Sequence, residues 1–186
     1  MEKKRKSVSS ASESGGERKV LMIKLKLGSF RLNFSITAIT KTYGVYSLLE
    51  NGKHILMWDF DDLPLRKVIV ALRAVQNKYF LPEIRIMQTK EKSYHAYCFL
   101  QTDFRRCVEI LAATPNLDWG FFLFGCLRQK FTLRVGEKAG RNKPKLIGIL
   151  GSEFEGDCTP KDLNRWVKYD TIDRTRHNPK VLTFGD

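Results

Sequence analysis

Asp59 and Asp61 stand two residues apart where an apolar run, HILMWDFDDLP (54–64), reaches its end. On an extended chain that spacing points both carboxylates to one face. Like charges held so close repel each other and call for a countercharge. Hard carboxylate oxygens select Mg2+ or Mn2+ over softer metals. Two further stretches carry reactive side chains: SYHAY (93–97), with Ser93 and His95, and NLDWGFF (116–122), with Asp118 behind a leucine. Downstream, TLRVGEKAGR (132–141) supplies Arg134 and Lys138. On a strand Thr132 and Arg134 share a face, and the following turn can bring Lys138 round to the same side.

The elements that must position these residues are legible around them. Asn51-Gly52 between two apolar runs is a hairpin signal leading into HILMWDFD as a strand. Leu65, Val68, Ile69, Leu72, Val75 and Tyr79 recur at helical spacing, with Asp62 as the cap and Pro64 in the first turn. EIRIMQT and SYHAYCFL read as strands joined by the charged turn KEK. TDFRRCVEILAAT reads as a helix capped by Thr102, and LDWGFFLFG as the next strand. Strand, helix, strand, strand, helix, strand is the split βαβ order of ferredoxin-like and RRM-like sheets. There the first and third strands are central neighbours and the fourth flanks the first. Asp59 and Asp61 then end the first strand, His95 lies beside them on the third, and Asp118 begins the fourth. Alternation turns Leu56, Trp58 and Phe60 toward the helices, while Asp59 and Asp61 share an outer face with Ser93, His95 and Tyr97. The predicted class is α+β with additional N- and C-terminal strands: KVLMIKLKLG and SFRLNFSITAI before this core, KFTLRVG and PKLIGIL after it. A last helix is expected behind TPKD, with Thr159 as its cap and Pro160 opening the turn.

Taken in order, WDFDD, SYHAY and NLDWGFF resemble the three motifs of the archaeo-eukaryotic primase (primase-polymerase) superfamily. Those motifs are hydrophobic-Asp-hydrophobic-Asp/Glu, small-x-His, and a hydrophobic residue followed by an acid. The separations, 34 residues from Asp61 to His95 and 23 from His95 to Asp118, suit compact members, and the resemblance covers roughly residues 44 to 150. It implies a primase-like catalytic core performing template-dependent nucleotidyl transfer, adding NTPs or dNTPs on a single-stranded DNA template. It implies Asp59, Asp61 and Asp118 as catalytic ligands of two Mg2+ or Mn2+ ions, which activate a 3′-hydroxyl and stabilise the departing pyrophosphate. Ser93 and His95 would contact the phosphates of the incoming nucleotide, with Arg134 and Lys138 on its triphosphate. A helicase or other replication proteins could join such an enzyme. The sequence shows no zinc-binding module, appended helicase or priming accessory domain, and no zinc is expected.

The same residues admit plainer roles. A strand-end Asp pair can be a solvated cap, a strand histidine a structural one, and Asp118 after Pro-Asn a turn residue. Arg128, Lys130, Arg134 and Lys138 could form an ordinary basic strand face. Two rival functions follow. One is a non-catalytic nucleic-acid-binding domain on an RRM-like sheet, which Asp59 and Asp61 oppose by repelling phosphate. The other is a rolling-circle replication endonuclease, which wants a His-hydrophobe-His metal pair and a nucleophilic tyrosine on a helix; Tyr169 on the expected last helix is the nearest candidate.

Composition sets the outer bounds. The chain has 186 residues, 42% hydrophobic and 28% charged, ordinary for a soluble globular protein. One domain over 20–186 is expected behind a Ser/Gly/Lys-rich disordered tail, residues 1–19, in which KKRK resembles a nuclear-import patch. No apolar run is long enough to span a membrane and the N-terminus lacks a secretory h-region. Four cysteines without a C-x-x-C pair point to reduced thiols in an intracellular compartment, cytoplasmic or nuclear. The net charge is +13; the first nineteen residues hold six Lys/Arg and three Glu, or +3, leaving +10 for the rest. So basic a surface suits a polyanion, and nucleic acid is the commonest.

Overall fold

The computed structural model describes residues 21–27, 29–36, 39–138, 141–172 and 180–184; the expected tail over 1–19 lies outside them. In chain order the first elements are β1 (Leu21–Leu27), β2 (Phe30–Ile36), β3 (Ile39–Tyr46), β4 (His54–Phe60), α1 (Leu65–Tyr79), β5 (Ile84–Lys90) and β6 (Ser93–Thr102). Then come α2 (Phe104–Ala112), α3 (Trp119–Leu127), β7 (Thr132–Arg134), β8 (Lys145–Leu150), a 3-10 turn (Pro160–Asp162), β9 (Trp166–Ile172) and β10 (Lys180–Phe184). The class is α+β. The sequence reading takes 20–186 as one domain; the chain forms two compact units, one holding β1, β2 and β10 and the other β3 through β9.

In the first unit, the alternating stretches LMIKLKL and FRLNFSI pair antiparallel, and β10 adds to β1 in parallel, giving the order β10-β1-β2. The second unit carries two antiparallel sheets, β4-β6-β5-β8 and β7-β3-β9. The expected split βαβ order holds from β4 through α2, with β4 and β6 as neighbours and β5 beyond them. Helix α1 buries Val68, Ala71, Leu72 and Val75, and α2 buries Cys107, Ile110 and Leu111. Both pack with Leu56, Trp58 and Phe60 of β4 in one core. The Trp58 indole, inside that core, donates to the Thr114 hydroxyl at 2.8 Å, so its polar tip is not left unpaired.

Several local expectations need correction. LDWGFFLFG is not a strand: it forms α3, an aromatic-rich helix that the Asp118 side chain caps. TPKD makes only the 3-10 turn, with the expected Thr159–Asp162 capping box, and the following segment is strand β9 rather than a helix. Pro64, not Asp62, is the N-cap of α1, and Asp103, not Thr102, caps α2. The Asn51-Gly52 turn forms with Gly52 at φ 80°, but β3 leaves it after one bridge, Leu48 to His54, and joins the other sheet. The outer face of β4 and β6 is not open to solvent either, since Met57, Ser93, His95 and Tyr97 are all buried. Among the described residues no helix is long and apolar enough to cross a membrane.

Candidate active site

Asp59 and His95 face each other as register partners on β4 and β6, with His95 Nε2 3.7 Å from Asp59 Oδ1. Past Asp59 the chain leaves the sheet and turns at Asp62, which adopts φ 54°. That turn is pinned from two sides. The Asp62 N–H donates to Ser93 Oγ at 3.4 Å, and Lys90 Nζ meets the Asp62 carboxylate at 3.2 Å. Ser93, expected at nucleotide phosphates, is fully buried beneath this turn and props the loop that carries Asp61.

Asp118 arrives by another route than the one expected. Its backbone N–H donates to the Asp59 carbonyl at 2.9 Å, so the loop before α3 docks on the free edge of β4. Farther along that edge, the Ile55 N–H donates to the Ser47 carbonyl at 2.9 Å. These bonds cover an edge that a fourth strand would otherwise occupy. The Asp118 carboxylate accepts from the Phe121 N–H at 2.6 Å, the N-cap bond of α3. The third acid therefore reaches Asp59 from the start of a helix, not from a strand.

Two cavities share Asp59 and Thr132. One, about 200 Å³, joins Asp59, Asp61 and His95 to Arg134, Lys138, Arg141 and Tyr169, the cations and the tyrosine coming from β7, the loop behind it and β9. The other, about 230 Å³, joins Asp59 and Asp118 to Arg128, Lys130 and the α3 aromatics Phe121 and Phe124. Arg134 is no solvent-facing strand residue. It is 8% exposed, and its Nη1 donates to the carbonyls of Gly136 and, at 3.1 Å, Asn142. Its guanidinium thus ties down both ends of the loop that carries Lys138 and Arg141. Reciprocal backbone bonds between those two residues, 3.0 and 2.6 Å, close the loop tip.

Burial, then the charges of Asp61 and Asp118, push the Asp59 carboxyl up to about 7, against the opposing pull of Arg134. Burial and the nearby Arg134 charge depress His95 to about 3, so its imidazole is neutral at physiological pH. The 3.7 Å approach to Asp59 is a contact and not an ion pair. His95 Nδ1 is buried without a hydrogen-bond partner, and so is the Tyr97 hydroxyl. Burial also raises Tyr169, which lies on β9 and not on the helix that the endonuclease reading requires.

For a divalent cation the donor chemistry fits in part. Asp59 and Asp61 bring hard oxygens to one cavity, and the repulsion that raises Asp59 is what a bound cation relieves. Among the described residues, however, no three His, Cys, Asp or Glu side chains stand together in a ligating arrangement. Asp59, Asp61, His95, Arg134 and Lys138 are brought together, Asp118 adjoins them through Asp59, and Ser93 stands behind them. Sequence reading left out Arg141, although it closes the same basic glycine-containing run as Lys138, and placed Tyr169 on the wrong element. Compared with family models, curated proteins and solved structures, the chain finds no match in any of the three.

Proposed function

We propose that the cleft at the end of β4 is a nucleotidyl-transfer site, extending a strand with NTPs or dNTPs on a single-stranded DNA template. The second unit would then be a primase-like catalytic core, as the motif resemblance implies. One observation carries the reading: a half-buried aspartate, its carboxyl raised by burial and by two further acids, stands where two separate groups of cations meet. A purely structural site gains nothing from that arrangement, whereas phosphoryl transfer needs acids for metal and cations for phosphate.

The residues divide the work by chemistry. Arg134, Lys138 and Arg141 suit the triphosphate and the charge that develops on departing pyrophosphate. Arg128 and Lys130, in the other cavity, suit the phosphates of the strand being extended. His95, neutral, would meet a phosphate oxygen in the cleft without adding charge. Asp59 and Asp61, with Asp118 beside them, would hold Mg2+ or Mn2+, which when bound lowers the pKa of the attacking hydroxyl and screens the leaving group. An intracellular setting accompanies this reading, the four thiols being free, and a helicase or other replication proteins remain proposed partners.

The test is primer extension on single-stranded DNA with labelled NTPs or dNTPs and Mg2+ or Mn2+, alongside a primer-free reaction. Asp59→Ala and Asp61→Ala should each abolish incorporation while circular dichroism stays native. Undiminished synthesis by the double variant overturns the proposal. The non-catalytic binding reading has one observation in its favour, that Asp118 is engaged as a helix cap. It expects no incorporation by the wild type and tighter DNA binding once Asp59 and Asp61 are neutralised.

A further inference from the structure

A third cavity, about 360 Å³, lies one side-chain step along β6 from the acids. It falls within the roughly 300–1,000 Å³ of ordinary small-molecule sites. Tyr97 and Phe99 continue the face that begins with His95, spaced by about 7 Å for each two residues of strand. The cavity takes these two rings from β6, Arg85 from β5, Leu146 from β8, Leu163 and, at its mouth, Trp166 from β9. Trp166 is 58% exposed, a large aromatic surface left to water. Arg85 lies over the Phe99 ring at 5.3 Å. The Tyr97 hydroxyl is buried without a partner, and Tyr97 also senses the charges of Asp59 and Arg134. Tyr97 lines this slot, two residues along β6 from His95 of the acidic cleft.

Charge around the slot is one-sided. Lys143, Lys145, Lys161, Arg165 and Lys168 are all exposed and flank its lining residues in sequence. Of the acids on the same segments, Glu83 is engaged with Arg85 at 2.7 Å and Asp162 with the Thr159 backbone and hydroxyl, while Glu137 and Asp170 are exposed and outnumbered by these five cations. A largely apolar slot with aromatic residues in its lining and cations flanking it in sequence fits a nucleobase whose flanking phosphates meet those cations. Aromatic stacking accepts any base, and the cations follow the backbone.

We infer that the slot bounded by Tyr97, Phe99 and Trp166 holds one unpaired base of the single-stranded nucleic acid beside the acidic cleft. The inference rests on the proposed use of that strand as template. Its residues are separate from those proposed to perform the transfer. Stacking on Trp166 fixes the register of the strand.

The test uses the full chain and a single-stranded oligonucleotide carrying one 2-aminopurine, with an oligonucleotide abasic at that position as the control. Wild type should quench 2-aminopurine fluorescence on binding and bind the abasic strand about tenfold more weakly, as expected for one lost base–aromatic stack. Trp166→Ala should remove the quenching and the preference for an intact base, and Trp166→Phe should restore both. Quenching and base preference that persist in Trp166→Ala overturn the slot, as would a wild type indifferent to the abasic site. Asp59→Asn separates the two proposals, because it should stop incorporation and keep the quenching. Quenching by a wild type that never incorporates nucleotide leaves the slot standing and removes the transfer reading.

Discussion

Asp59 carries an electrostatic load that can be measured without any substrate. Its carboxyl has an ordinary value of 3.8 and is raised to about 7 in the folded protein, chiefly by burial and then by Asp61 and Asp118. The folded state thus binds that proton more tightly than the unfolded one. The resulting stabilisation is fully present below pH 3.8 and is lost as pH rises to about 7, leaving ionised Asp59 as a standing penalty. Asp59→Asn should therefore raise the melting temperature, with a gain that grows from about pH 4 to about pH 7 and levels off above it in chelator-treated protein. Melting curves at several pH values check this; a pH-independent gain, or a loss at high pH, would mean that the carboxylate is structural. Arg134 should be felt in both stability and catalysis. Arg134→Ala should raise the apparent KM for nucleotide and also lower the melting temperature, because it releases the guanidinium bonds to the Gly136 and Asn142 carbonyls. A wild-type melting temperature in this variant would show that the buried guanidinium does not anchor the loop.

Helix α3 positions Asp118, and one contact controls where α3 lies. A Cβ on Gly125 would sit 2.1 Å from Cδ1 of Phe131, which is itself fully buried. Gly125→Ala should cost roughly 1–3 kcal/mol by overpacking and weaken activity by shifting the helix that begins at Asp118. Denaturant titration with a parallel incorporation assay checks both effects; wild-type stability would mean that Phe131 yields freely. The same helix marks where sequence reading gave out. FFLF is apolar all round, so it carries no periodicity, and its aromatics favour a strand by propensity. Its docking on β4, through a backbone bond to the Asp59 carbonyl, leaves no trace in side-chain pattern. By contrast, α1 and α2 were legible from their helical repeat, and β4, β5 and β6 from short apolar runs bounded by turn residues. The facing of Asp59 and His95 followed from strand order and alternation alone. What alternation could not reveal was the second sheet over their outer face, which turns an expected open surface into a cleft. Residues 166–172 were misread because an exposed strand beside a capping box looks like the start of a helix.

Across the whole molecule the basic excess is spread over the chain, with +10 outside the first nineteen residues. DNA affinity should fall steeply with salt through Lys/Arg contacts to phosphate, and a chain lacking residues 1–19 should keep most of that affinity and slope. Anisotropy titrations of both chains at several salt concentrations settle it; abolished binding on truncation would place the nucleic-acid contacts in the deleted segment. The three-stranded sheet of β10, β1 and β2 has a further consequence. Leu21 pairs with Lys180, across almost the whole sequence, and the entire second unit lies between β2 and β10. That makes the second unit, which holds the three acids, an insertion within a host sheet. Its own entrance and exit are neighbours, since Ile39 and Ile172 are register partners on β3 and β9. An insert with adjoining ends leaves a host open only a short gap to close, so the long separation in sequence is bridged by the folded insert itself. The host sheet should therefore lose more from unfolding of its guest than the guest loses from unfolding of the host.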